Sequence, residues 1–194
     1  MASVVLYGDL LHFLNGFQNF DGGYLDSCGL ADLPASKLNV VTATTPNRDG
    51  HSGTWRIESA EGKAFGSEVK SCDSVYLFNL HQGDGGYLGT NNIANPPELY
   101  RVVTANKSER PNDVLTWRLI VESTEGYDGK LREDNVVRLL NDYDNTRGGF
   151  LDSCENSTHP NTRYQVFTSV LSNRGVNFDP SHMTGLWKVS KQKP

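Results

Sequence analysis

Short runs in which apolar and polar side chains alternate recur along the whole chain. In Leu10–Asn15 (LLHFLN) a period of two puts Leu11 and Phe13 on one face, and Val75 and Leu77 in Ser74–Asn79 (SVYLFN) fall in the same places. Val137 and Leu139 do so again in Val136–Asn141 (VVRLLN). The same alternation sets His12 on the opposite side, where it is expected to meet solvent. Each run is rich in Val, Leu, Tyr, Phe and Thr and is bounded by Gly, Pro, Asn or Asp, the pattern of strands separated by turns. Sustained 3.6-residue apolar periodicity behind a capping residue is absent from the sequence, so the reading is strand throughout.

The runs also repeat as a set. GGYLDSC (Gly22–Cys28), GGYLGTN (Gly85–Asn91) and GGFLDSC (Gly148–Cys154) begin at equal intervals, each after one of the runs above. A third run follows as NVVTAT (Asn39–Thr44), RVVTAN (Arg101–Asn106) and QVFTSV (Gln165–Val170), and a fourth as TWRI (Thr54–Ile57), TWRL (Thr116–Leu119) and LWKV (Leu186–Val189). Four runs in one order, three times over, divide a single domain into units of about residues 1–62, 63–126 and 127–194. A propeller needs about four to eight blades, whereas twelve strands in three fourfold units suit a closed barrel with a hairpin cap. The expected fold is therefore all-β, a β-trefoil. Trp55, Trp117 and Trp187 occupy equivalent places and are expected in its core. The glycine pairs are expected to supply the positive φ of the turn between the first two strands of each unit, since a phosphate-binding loop would need a following helix and a GK[ST].

Charge and cysteine usage narrow the function classes. The formal net charge is −5 and the basic residues are scattered, which argues against a nucleic-acid partner. No apolar stretch reaches the roughly 18 residues of a membrane span, and Met1–Leu14 has no basic region ahead of its apolar run. The expected location is cytoplasmic, or exported without a signal peptide. Cys28, Cys72 and Cys154 lack the short paired intervals of a zinc site and are expected to be free thiols. The five histidines show no metal-ligand spacing and no nucleophile motif accompanies them, so neither catalysis nor a cofactor is expected.

The order of alternating strand, Asn, Gly-rich turn, aromatic-Leu-Asp and terminal strand with Trp resembles the β-trefoil lectins of the ricin-B type and their relatives, including the MIR and fascin-like trefoils. The resemblance covers the whole chain. It lacks the Gln-x-Trp of the ricin-B type, since Gly53, Leu115 and Gly185 stand two residues before the tryptophans. It implies that Asp26 and Asp152 accept hydrogen bonds from sugar hydroxyls and that Gly89 leaves the second unit without an anchor. Alternation separately sets Tyr24 beside Asp26 and Phe150 beside Asp152, a ring for stacking next to a carboxylate for hydroxyls. The other reading has the aspartates capping backbone amides and the rings covering the barrel end. The third-to-fourth-strand loops differ between units, and Asn47, Arg48 and Asp49 in the first, echoed by Asn173 and Arg174 in the third, are further candidates. The function expected is binding of glycans or glycoconjugates at up to two sites, with a homo-oligomer allowed. The alternative is a protein-binding trefoil, an inhibitor or regulatory module, with no sugar site.

Overall fold

Alternation along the chain becomes a ring of strands. The computed structural model describes residues 2–122, 128–170 and 183–192. Among these residues lie β1 (Leu10–Asn15), β2 (Tyr24–Leu30), β3 (Leu38–Ala43), β4 (Trp55–Ser59), β5 (Ser74–Asn79) and β6 (Gly86–Ile93). They are followed by β7 (Glu98–Ala105), β8 (Trp117–Val121), β9 (Val136–Asn141), β10 (Phe150–Asn156), β11 (Thr162–Ser169) and β12 (Trp187–Lys191). Six strands close on themselves through antiparallel pairs: β1 joins β4 and β12, β5 joins β4 and β8, and β9 joins β8 and β12. The other six form the hairpins β2–β3, β6–β7 and β10–β11, whose second strands pair with one another.

Inside the ring, Leu11, Phe13, Val75, Leu77, Val137 and Leu139 are all completely buried, as the period of two requires. Trp55, Trp117 and Trp187 are buried with them. Each indole N–H donates to a backbone carbonyl of its own unit, Leu25 at 2.9 Å, Leu88 at 2.9 Å and Leu151 at 3.0 Å, so burial of the large rings leaves no orphaned donor. Val40, Val102 and Val166 close the core from the hairpin side. At the other end three connecting segments form a cycle. Val5 N–H donates to Leu131 at 2.8 Å, Leu131 to Val69 at 2.9 Å and Val69 to Val5 at 3.0 Å, and all three side chains are buried.

The glycine pairs divide their work. Gly23, Gly86 and Gly149 take φ of +88°, +89° and +86°, the left-handed backbone that side chains disfavour. Their partners Gly22, Gly85 and Gly148 lie where a Cβ would overlap the side-chain oxygens of Asn15, Asn79 and Asn141. His12 corrects the expectation of an exposed side chain. It is buried, with Nδ1–H donating to Gly53 O at 2.8 Å, because the chain between β3 and β4 folds back over the outer face of β1. Alternation tells which side of a strand a residue takes and leaves open whether a loop covers that side. Among the described residues the cysteines form no disulfide, with Cys28 buried and Cys72 exposed.

Candidate functional site

Asp26 and Asp152 are completely buried, which corrects the expectation that their carboxylates face a ligand. Asp26 Oδ2 accepts the Ser52 hydroxyl at 2.7 Å, and Oδ1 accepts Arg48 Nη2 at 3.2 Å and Nε at 3.3 Å. Burial holds the Asp26 pKa above the ordinary carboxylate value, although Ser52 and Arg48 pull it down. Asp152 Oδ2 accepts the Ser169 hydroxyl at 2.7 Å. The aromatic neighbours are half-buried, and Tyr24 meets the edge of His12 at 6.4 Å.

The loop candidates serve the same internal purpose. Arg48 bridges Asp26 and, at 3.0 Å, the Ser27 carbonyl. Asn47 Oδ1 accepts the Thr54 hydroxyl at 2.8 Å, and the Asp49 amide donates to Ser52 Oγ at 3.1 Å. Arg48 thus fastens the loop onto β2, while Asn47 and Asp49 hold the loop to itself. Asn173 and Arg174 lie outside the described residues.

The residues that shape the outer surface are the asparagines ending β1, β5 and β9, all completely buried. Asn79 Oδ1 accepts the Ser27 hydroxyl at 2.9 Å and the His81 amide at 3.1 Å, while Nδ2 donates to Ser52 O at 2.7 Å. Asn141 repeats this with Thr90 at 3.1 Å, the Tyr143 amide at 3.2 Å and Val114 O at 3.0 Å. Asn15 does so with Ser153 at 2.9 Å, the Phe17 amide at 3.1 Å and Thr184 O at 2.7 Å. Each asparagine therefore ties its unit to a neighbouring one and sets His81, Tyr143 or Phe17 at the lip of a groove between units. Across each groove stands Leu38, Tyr100 or Tyr164, whose amide donates to the hydroxyl of Thr104, Thr168 or Thr42 at 3.1, 3.2 and 3.2 Å.

The three grooves share a frame and differ in lining. In the second, of about 360 Å³, the rings of Tyr100 and Tyr143 meet edge to face at 5.4 Å beside Asn91, Asn92 and Arg110. In the third, of about 270 Å³, Phe17 and Tyr164 meet at 5.3 Å beside Cys154, Glu155 and Asn156. The first, of about 770 Å³, has Leu38 and His81 in place of the ring pair and carries the Lys37–Asp84 ion pair at 2.8 Å. None of these grooves was read from the sequence, since each is assembled from two units. Arg110 was also missed, although it stands as far from the start of its third run as Arg48 does, and that spacing was the available signal. Its Nη2 donates to Thr90 O at 2.9 Å, as Arg48 does to Ser27 O.

No protein-family model matches this sequence, and no relative is found among curated proteins. Solved structures do resemble it. An SDF2-like protein from Arabidopsis thaliana superposes with a TM-score of 0.71 at 16% identity, covering 97% of this chain and 95% of its own. A Caenorhabditis elegans protein of unknown function gives 0.70 at 17%, covering 96% of each chain. The Saccharomyces cerevisiae protein O-mannosyltransferase Pmt1–Pmt2 complex, bound to its sugar donor, gives 0.67 at 17%, with all of this chain matching 26% of that one. Likeness at these identities establishes a shared all-β fold.

Proposed function

We propose that this chain is a β-trefoil that binds carbohydrate without catalysing a reaction, and that its principal site is the groove between the second and third units. The observation that carries the reading is the Tyr100–Tyr143 pair at 5.4 Å beside Asn91, Asn92 and Arg110. A pyranose offers a C–H face to an aromatic ring and hydroxyls to amide and guanidinium donors, so rings and polar side chains on one concave surface suit it. The Phe17–Tyr164 groove supplies a second, smaller site of the same build. The trefoil reading rests on the three repeated sets of four strands, the six-stranded ring and the three mutually paired hairpins. The structural likeness to a mannosyltransferase complex bound to a sugar donor adds support of a general kind.

A glycan array probed with native protein and with Tyr143→Ala tests it. Retention of a glycan class that weakens in the variant is the expected result, and an array with no retained glycan would remove the reading. A second reading, a protein-binding trefoil, draws on Leu30 and Ile93, which are 84% and 78% exposed at equivalent hairpin positions. Replacing Leu30 by Ser leaves glycan retention unchanged under the first reading, whereas Ile93 lines the Tyr100–Tyr143 groove itself.

A further inference from the structure

One coupled exchange distinguishes the second unit from the first. In the first, the Arg48 guanidinium has an internal counter-ion, Asp26, at 3.2 Å. In the second, Gly89 stands at the position of Asp26, and Arg110 remains at the position of Arg48. The space a side chain would need is already filled: a Cβ on Gly89 would lie 2.5 Å from Leu115 Cδ2 and 2.9 Å from Val114 O. Leu115 is completely buried and takes the place that Gly53 holds in the first unit. A carboxylate at residue 89 and the side chain of Leu115 thus exclude one another.

Arg110 is left with neutral partners, Asn91 Oδ1 at 3.1 Å and the Thr90 carbonyl at 2.9 Å. Those bonds occupy two of its five N–H groups. Among the described residues no carboxylate pairs with it, and it lines the same groove as Tyr100 and Tyr143. We propose that this groove is selective for an acidic pyranose, a sugar of the uronic-acid type whose carboxylate supplies the counter-ion that Arg110 lacks while its ring lies against Tyr100 and Tyr143. The inference rests on the carbohydrate reading and specifies its ligand class. A carboxylate fits the planar guanidinium fork through two parallel hydrogen bonds, which a lysine or a neutral amide would not offer. In the first unit Arg48 is already neutralised by Asp26 and is not part of the groove lining, so the first groove carries no such preference.

The test is a titration of native protein with methyl glucuronide, methyl glucoside and glucose 6-sulfate, followed by NMR. The glucuronide is expected to bind about tenfold more tightly than the glucoside, with the margin shrinking as salt is raised. In Arg110→Gln the two should bind alike. Because Arg110 also holds the Thr90 carbonyl, a second variant, Arg110→Lys, keeps the positive charge without the planar fork and should shrink the preference while sparing glucoside binding. Equal binding of glucuronide and glucoside by native protein, or a preference that survives both variants, overturns the inference and leaves the carbohydrate reading standing. Equal binding of the sulfate and the glucuronide overturns the assignment of a carboxylate. Failure of all three probes to bind removes both.

Discussion

The Ser27 hydroxyl donates to Asn79 Oδ1 at 2.9 Å across the boundary between the first and second units, and the same bond recurs from Thr90 to Asn141 and from Ser153 to Asn15. Truncating Asn79 would take a partner from the part-buried His81 amide and from the buried Ser27 hydroxyl and Ser52 carbonyl, which would keep only the bonds between residues 27 and 52. Asn79→Ala is expected to lower the unfolding free energy by about 2–4 kcal/mol, and Ser27→Ala by about 1 kcal/mol. Urea denaturation measures both. An Asn79→Ala midpoint equal to that of the native protein would show that the asparagine is no tie between units.

Asp26 gives a pH dependence of definite sign. Its native pKa is raised above the ordinary 3.8, chiefly by burial, so the folded chain holds this proton more tightly than the unfolded chain does. The stability this supplies is fully present below 3.8 and is lost as the pH rises through the native pKa. Stability of the native protein minus that of Asp26→Asn should therefore fall as the pH is raised above 3.8. Taking the difference cancels other carboxylates such as Asp73, whose pKa is lowered. A difference that grows with pH would contradict the assignment.

The thiols should separate by reactivity. Burial pushes the Cys28 pKa up to about 11, with the Asp26 charge adding to it against Arg48, whereas Cys72 is exposed. Under mildly alkaline conditions a thiol reagent should label Cys72 at once and Cys28 only on unfolding. Mass spectrometry of the labelled peptides reads the order, and prompt labelling of Cys28 in folded protein would refute it.

The grooves should divide the binding between them. Tyr143→Ala is expected to weaken glycan binding by about five- to tenfold, consistent with loss of one stacked ring, and Phe17→Ala to act only on the smaller third groove. His81→Ala, at the equivalent place in the groove without a ring pair, should leave affinity unchanged. Titration of the three variants against one retained glycan decides the order.

The frame of the molecule was legible because it depends on local rules. A period of two places Leu11, Phe13, Val75 and Leu77, the glycine pairs need a backbone that Gly22 and Gly23 allow, and three tryptophans at one repeat position share one environment. The site was harder to read for a geometric reason. Whether Asp26 meets water depends on the course of residues 45–53, which no periodicity records, and the same loop conceals His12. Tyr100 and Tyr143 lie in different units and become neighbours only once Asn141 has turned the chain between β9 and β10. Gly89 breaks the repeat in the sequence. Its consequence depends on Leu115 and Arg110, which are distant in sequence and adjacent in space.

The ring has its seam where β1 meets β12, with Phe13 opposite Val189 and Asn15 opposite Trp187. Synthesis must therefore reach Lys191 before the first strand gains its last neighbour, so a nascent chain carries an unsatisfied edge on β1 until β12 has been made. The same seam brings both ends of the described chain to one place, where the Lys191 ammonium donates to Val4 O at 2.8 Å. Joining the ends and reopening the chain near residue 63 would move the seam to β4 and β5 while keeping every strand pair. Such a permuted chain should reach the same fold by a different order of closure.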